Sequence, residues 1–175
     1  LARGPRQRLT AEMMRDHSLT AAGLISPRIG GTPAQPPLPP GVWKPFVKDE
    51  WKTPEPGDPE RYRRAVYIYF KRSLLYPLFS SFDVPPRDIS SKRRLVSNTP
   101  LHALTILNDE SFHEAAIALS KRMTAASGSL DERIAYGYRV TTSRSITPDR
   151  AKELRELHQR LIPQYTAAPE EMKKL

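Results

Sequence analysis

Polar caps divide the chain into runs of apolar residues, and most of these runs repeat at helical spacing. Residues 9–22 read as a first helix, with Thr10 at the N-cap and Gly23 just past the end. Leu101, Leu104, Ile106 and Leu107 form a short, strongly apolar run that opens at Thr99-Pro100 and breaks at Asn108-Asp109. A hydroxyl followed by proline suits a helix start, because the first helical position needs no amide hydrogen; Asn98 is an alternative cap. Phe112, Ala115, Ala116, Leu119 and Met123 recur at spacings of three and four, so they predict one buried face of the next helix, capped by Asp109. Ser129 with Glu132 is a capping box, and Ile134, Ala135 and Tyr138 continue that helix inward. Thr147-Pro148 opens the last helix, whose apolar face is Leu154, Leu157, Leu161 and Tyr165; Pro163 is expected to kink or end it. The period changes only over residues 65–70, where Tyr67 and Tyr69 alternate with Val66 and Ile68 and predict a strand. Its partner is expected around residues 42–47 or in a part of the parent protein outside this chain. Residues 74–82 read as an apolar, aromatic linker, followed by a turn at Asp83 and Pro85-Pro86.

Residues 26–60 fit neither period. Gly30-Gly31 and prolines at 33, 36, 37, 39, 40, 45, 54, 56 and 59 forbid a helix and disfavour a regular strand. The same segment carries Trp43, Phe46 and Trp51, which a free linker would not keep in water. It is therefore expected to be an ordered, polyproline-like strap with these three aromatics as anchors. An aromatic sugar platform is the other use for such residues; anchoring to a core is the commoner one. The predicted fold is mainly α with a small β element (α+β), its helices around one core with the strap across it. The segments are 1–25 (first helix), 26–60 (strap), 61–92 (basic strand and loop) and 93–175 (helical core), all within one domain.

Composition changes this picture in three ways. The chain has 175 residues and a formal charge of +9, which favours an anionic partner. The positive residues concentrate at 61–94, where Arg61, Arg63, Arg64, Lys71, Arg72, Arg87, Lys92, Arg93 and Arg94 face only Asp83 and Asp88. The expected outcome is a solvated surface with a few buried arginine–carboxylate pairs; the sharper alternative is a docking face for an acidic protein or an anionic glycan. No nucleic-acid motif is present, so nucleic acid is not an expected partner. There is no cysteine, which excludes disulfides, thiolate chemistry and covalent haem attachment within this chain. No run reaches the ~20 apolar residues of a membrane helix. A chain that opens on Leu1 without a signal peptide is read as a fragment or a processed product.

Candidate chemistry gathers between residues 93 and 114. Arg93, Arg94, Asn98, His102, Asp109 and His113 lie at or beside the predicted helix corner, and they are the candidate binding residues. At least one of the two arginines is expected to grip a carboxylate with both arms, Glu12 and Asp16 being the candidates. Two histidines and a carboxylate form a conceivable metal set, but polar groups at a helix corner more often satisfy helix ends. No metal is assigned. No His-Glu-x-x-His, Gly-x-Ser-x-Gly or phosphate-loop pattern occurs, so no catalytic residue is nominated.

The same stretch carries a resemblance. Arg93-Arg94, Ser97-Asn98-Thr99-Pro100-Leu101-His102-Ala103-Leu104, Leu107-Asn108-Asp109 and Phe112-His113-Glu114-Ala115-Ala116 come one after another in that order. This succession resembles the C-terminal domain of unknown function, of PSD type, in planctomycete cytochrome-c-associated surface proteins. Residues 8–16, 30–43, 63–72 and 82–85 resemble further parts of it. A cysteine frequent before the arginine pair in that family is absent here, where Ile89-Ser90 stands. The resemblance implies a non-catalytic interaction module at the C-terminal end of an exported, cytochrome-linked protein, in the periplasm or at the cell surface. Companion domains or another subunit would be its partners. Haem c would sit on a neighbouring domain, with no cofactor in this chain. Two rivals remain: part of an extracellular enzyme of carbohydrate turnover or oxidation, and an accessory subunit clipped onto a larger assembly by its strap.

Overall fold

The computed structural model describes residues 8–43, 50–71, 74–87, 89–126 and 128–168. It is mainly helical and divides into two compact units, Leu1–Ala118 and Leu119–Leu175.

In the first unit, α1 (Ala11–Ala22) begins where the Thr10 side chain accepts from Met13 N–H at 3.3 Å. It ends at Gly23, whose φ of 75° lets its N–H turn back to Thr20 O. Ala11, Arg15, Leu19 and Ala22 recur at helical spacing and are all buried. The core beneath them comprises Ala65, Ile68, Tyr76, Leu78, Phe79, Phe82, Val84 and Phe112. Leu78 and Phe79 come from α2 (Pro77–Ser81), a single helical turn in place of the expected linker. Pro77 starts it, and Asp83, held at φ 59°, turns the chain so that Val84 N–H reaches Phe79 O at 3.0 Å.

The small β element is not formed among the described residues. Residues 65–67 wind into a 3₁₀ turn, with Tyr67 N–H on Arg64 O at 2.9 Å and Ile68 N–H on Ala65 O at 3.1 Å. Past this turn Ile68 pairs with Ala34 in one isolated parallel bridge, and another joins Arg63 to Ser26. The strap is thus the pairing partner, at Ala34 rather than at 42–47, most of which lies outside the described residues. It cannot extend the ladder, because Pro33 and Pro36 flank Ala34 and have no N–H to give.

Cations replace the ladder. A strap without helix or sheet leaves carbonyls that need donors; Arg61 and Arg63 supply three of them and Arg15 holds Arg61 and Arg63 in turn, each of the three no more than 4 % exposed. Arg63 donates to Thr32 O at 2.5 Å and to Gly30 O. Arg61 donates to Pro54 O at 2.7 Å. Arg15 of α1 donates to Arg63 O at 2.5 Å and Arg61 O at 3.0 Å, which fixes the segment carrying the other two. Aromatic anchoring adds to this. Trp51 packs on the core, donates to Pro36 O at 2.8 Å and stacks on Tyr76. Trp43 lies 5.2 Å from Trp51, ring centre to ring centre. Phe46, the third expected anchor, lies outside the described residues.

The corner helices are α3 (Pro100–Asn108) and α4 (Glu110–Ala126). Phe112 and Ala115 of α4 are buried, whereas Ala116, expected beside them, is exposed. The second unit contains the end of α4, then α5 (Leu130–Thr142) and α6 (Pro148–Ala167). Ser129 accepts from Glu132 N–H at 3.3 Å and Thr147 from Arg150 N–H at 3.4 Å, so both caps stand where the sequence places them. Pro163 does not end α6, which runs on to Ala167. Gly137 of α5 faces Met123 so closely that an added Cβ would lie 2.7 Å from its sulfur. Arg155 of α6 bonds Asp131 of α5 at 2.8 Å. Among the described residues no helix is long and apolar enough to cross a membrane.

Candidate functional site

The site is built around the start of α3. Thr99 is its N-cap, and His102 sits one turn in, 5 % exposed. Thr99 N–H donates to His102 Nδ1 at 3.1 Å, and Arg8 Nη2 lies 2.7 Å from the same nitrogen. Two donors on Nδ1 leave the ring proton on Nε2, which has no hydrogen-bond partner. The ring stacks on Phe82 at 4.6 Å, so His102 joins α3 to the end of α2. This is a structural joint, built from the apolar face of an imidazole and one lone pair.

At the other end of α3, Asp109 serves both helices. Its N–H donates to Thr105 O, its carboxylate accepts from Ser111 N–H at 2.9 Å, and its carbonyl accepts from Phe112 N–H and His113 N–H. Burial pushes the Asp109 carboxyl above the usual range, although the Ser111 and Phe112 amides and Arg15 pull the other way. Glu114, one turn into α4, grips buried Arg61 together with Glu110, whose oxygen lies 2.6 Å from Nη2. Burial alone would lower the Arg61 pKa; the two carboxylates outweigh it and raise it.

The approach to α3 is pinned twice. Asp83 accepts from Ser97 N–H at 2.8 Å and from the Ser97 hydroxyl, and these bonds, led by the backbone one, hold its carboxyl below the usual range. Arg94 makes the two-armed contact expected of one member of the pair, 2.8 Å to each oxygen of Glu12. Burial would raise the Glu12 carboxyl, but Arg94 and further hydrogen bonds outweigh it and lower it. Asp16, the other expected partner, instead accepts from Ala65 N–H at 2.7 Å and from Arg64.

The sequence-predicted residues therefore separate. His102 and Asp109 support the two ends of α3, and Arg94 ties its approach to α1. Arg93 and Asn98 are exposed, and His113 is half-buried on α4. Among the described residues no group of three or more histidine, cysteine, aspartate or glutamate side chains could hold a metal. Sequence reasoning misses the buried trio Arg15, Arg61 and Arg63, because in sequence it is indistinguishable from its exposed neighbours. The nearest signal, for Arg61 and Arg63 alone, is adjacency to a proline-rich segment whose carbonyls need donors.

The outward side of α3 is exposed and apolar. Leu101 and Leu104 are each 55 % exposed and Leu107 76 %, with Ala103 and Ile106 also exposed. The helix carries no charged residue.

The model of the PSD1 family, described as a protein of unknown function (DUF1553), matches residues 1–158. The chain belongs to the PSD1 family. The PSD1 match runs from ahead of α1 into α6 and so takes in the strap, the three buried arginines and the whole α3–α4 corner. The PSD1 description assigns no activity. No curated protein and no solved structure matches the chain.

Proposed function

We propose that this PSD1 chain is a non-catalytic interaction module that packs, through the outward face of α3, on a companion domain of its parent protein. The observation that carries the reading is the uncharged leucine face of α3. A helix this apolar and this exposed is unfavourable in water. Permanent interfaces resemble a core cut in half, whereas transient ones keep a more polar surface. The absence of any charge on α3 thus favours a permanent neighbour over a passing partner. The caps at both ends of α3 are occupied, so the polar groups of the corner are spent on holding the helix rather than on chemistry. The strap packs on its own unit, which counts against the accessory clip.

For the parent protein, the resemblance in residues 93–116 supports an exported, cytochrome-linked chain in the periplasm or at the cell surface. Haem c would be carried on a neighbouring domain, with none here. The test is to replace Leu101, Leu104 and Leu107 together with Gln and measure binding to the separately produced companion domain. Burying a leucine is worth about 1.5–3 kcal/mol and ~1.4 kcal/mol is a factor of ten, so the triple variant should bind at least about tenfold more weakly, with its melting temperature unchanged. Equal binding by the variant would sink the proposal.

A further inference from the structure

Of the nine residues of α3, His102 alone is buried. The helix ends are fastened separately. Ser97 is bound to Asp83 ahead of it, and Asp109 joins Thr105 to the start of α4 behind it. The body of α3 therefore docks through one imidazole, the side chain that ordinarily changes charge between about pH 5 and 8.

The groups bonded to that ring are arranged for its neutral form. Thr99 N–H and Arg8 Nη2 both lie on Nδ1, and each is a donor. The ring stands in the first turn of α3, where the helix dipole disfavours positive charge. α3 itself carries no charged residue. On the side of α2, Phe82 covers the ring face, and Arg8 lies 5.5 Å from the centre of the same Phe82 ring. Asp83 follows Phe82, and its carboxyl feels both His102 and Arg8. Its oxygens are spent on Ser97, and no hydrogen bond joins it to the imidazole. On the approach to α3, Arg94 is closed on Glu12. A charged ring would thus hold two N–H groups, with no acceptor for either among the described residues.

We propose that His102 is an acid-sensitive latch that releases α3 from its unit. A proton from solvent converts the Nδ1 lone pair into an N–H. The bonds from Thr99 and Arg8 are then lost, and an imidazolium faces a guanidinium where water is excluded. α3 leaves the Phe82 face while Ser97 and Asp109 keep its ends. The sign follows from linkage: the docked helix accepts only the neutral ring and the released helix accepts either form, so docking weakens as pH falls. Asp109 works the other way, because burial favours its protonated form. The latch itself needs no partner; its consequence rests on reading α3 as the packing face, in which case acid loosens the chain from its companion.

The experiment is amide hydrogen exchange on the full chain at pH 7.5 and 5.5, corrected for the intrinsic effect of pH on exchange. Protection over residues 101–108 should fall about tenfold, the ratio for one proton taken up by a solvated imidazole titrating near pH 6.5. Residues 15–22 of α1 should keep theirs. His102→Gln retains an acceptor for Thr99 N–H but cannot take a proton, so its α3 should be equally protected at both pH values. Arg8→Met removes the facing cation and should make the loss smaller. The ring C–H resonances, followed by NMR, should report the proton as α3 loses protection. Unchanged protection in the parent chain, the same loss in His102→Gln, an undiminished loss in Arg8→Met, or a ring that titrates while α3 stays protected would each overturn the latch. The Leu101/Leu104/Leu107 variant should keep the pH response, since those side chains are exposed. Failure of the latch and failure of the packing face are therefore read separately.

Discussion

Glu114 holds the Arg61 guanidinium from one side while Glu110 and the Pro54 carbonyl hold it from the others. Arg61 is 4 % exposed, so removing an acceptor leaves a buried cation short of charge, a loss of about 3–5 kcal/mol for a broken buried pair. Glu114→Ala should fall near the low end, because Glu110 remains; urea unfolding with unchanged slope would show it. Asp109 sorts its two roles by substitution. Asp109→Ala deletes the cap on Ser111 and should cost about 0.5–2 kcal/mol. Asp109→Asn keeps an acceptor and removes a partly buried charge, so it should cost less than Ala at neutral pH. The two carboxyls with opposite shifts also give opposite pH trends. Glu12 is lowered on folding, so its contribution is present above its unfolded pKa and is lost as pH falls through the folded one. Asp109 is raised, so its protonated form is favoured by folding and stability is lost as pH rises through its folded pKa. Glu12→Gln should therefore flatten the acid side of the stability curve; an unchanged acid limb would contradict the role given to Arg94. At this scale caps were legible because a hydroxyl or carboxylate before a helix has a local cause. Burial of Arg15, Arg61 and Arg63 was not, since it depends on carbonyls that lie 31–48 residues away for Arg15 and Arg63.

Elements were legible in proportion to their length. The long helices show several turns of spacing and their own caps, and they begin where Thr10, Thr99, Ser129 and Thr147 place them. α2 has five residues, too few to show a period. The alternation at residues 65–70 is real but has another origin. Ile68 faces the core while Arg63 stacks on Tyr67 at 4.3 Å, so two environments on a bent chain mimic the two faces of a strand. The strap depends on these contacts in a way that proteolysis can read. Gly30 has a φ of 71° and offers its carbonyl to Arg63. Gly30→Ala should cost about 1 kcal/mol from the left-handed backbone alone. Arg63→Ala should lose more, since the Gly30 and Thr32 carbonyls are left without it. Both variants should be cut faster than the parent chain within residues 26–38, Arg63→Ala the more so; equal rates would show that the aromatic anchors hold the strap without the arginine.

At the scale of the whole molecule the two units differ in how they are held. The first combines an apolar core with buried cations that reach across tens of residues of chain. The second relies on short-range helix packing, and α6 within it has no buried residue. Nothing in the sequence marks this difference, because the apolar face of α6, with Leu154, Leu157 and Leu161, keeps the same spacing as a buried one. Local opening free energy tracks buried contacts rather than helix propensity. Hydrogen exchange should then separate the elements: amides of α6 should exchange through local opening, well before those of α1 and of residues 61–69, which sit against the core. Protection in α5 should fall between them, because Ile134 and Gly137 are buried there. Enlarging Gly137 to Leu displaces Met123 and should lower protection in α5 and α6 while leaving α1 unchanged. Equal protection across all these helices, or a Gly137→Leu effect that spreads into α1, would mean that the chain unfolds as a single unit and that the division at residue 118 has no energetic counterpart.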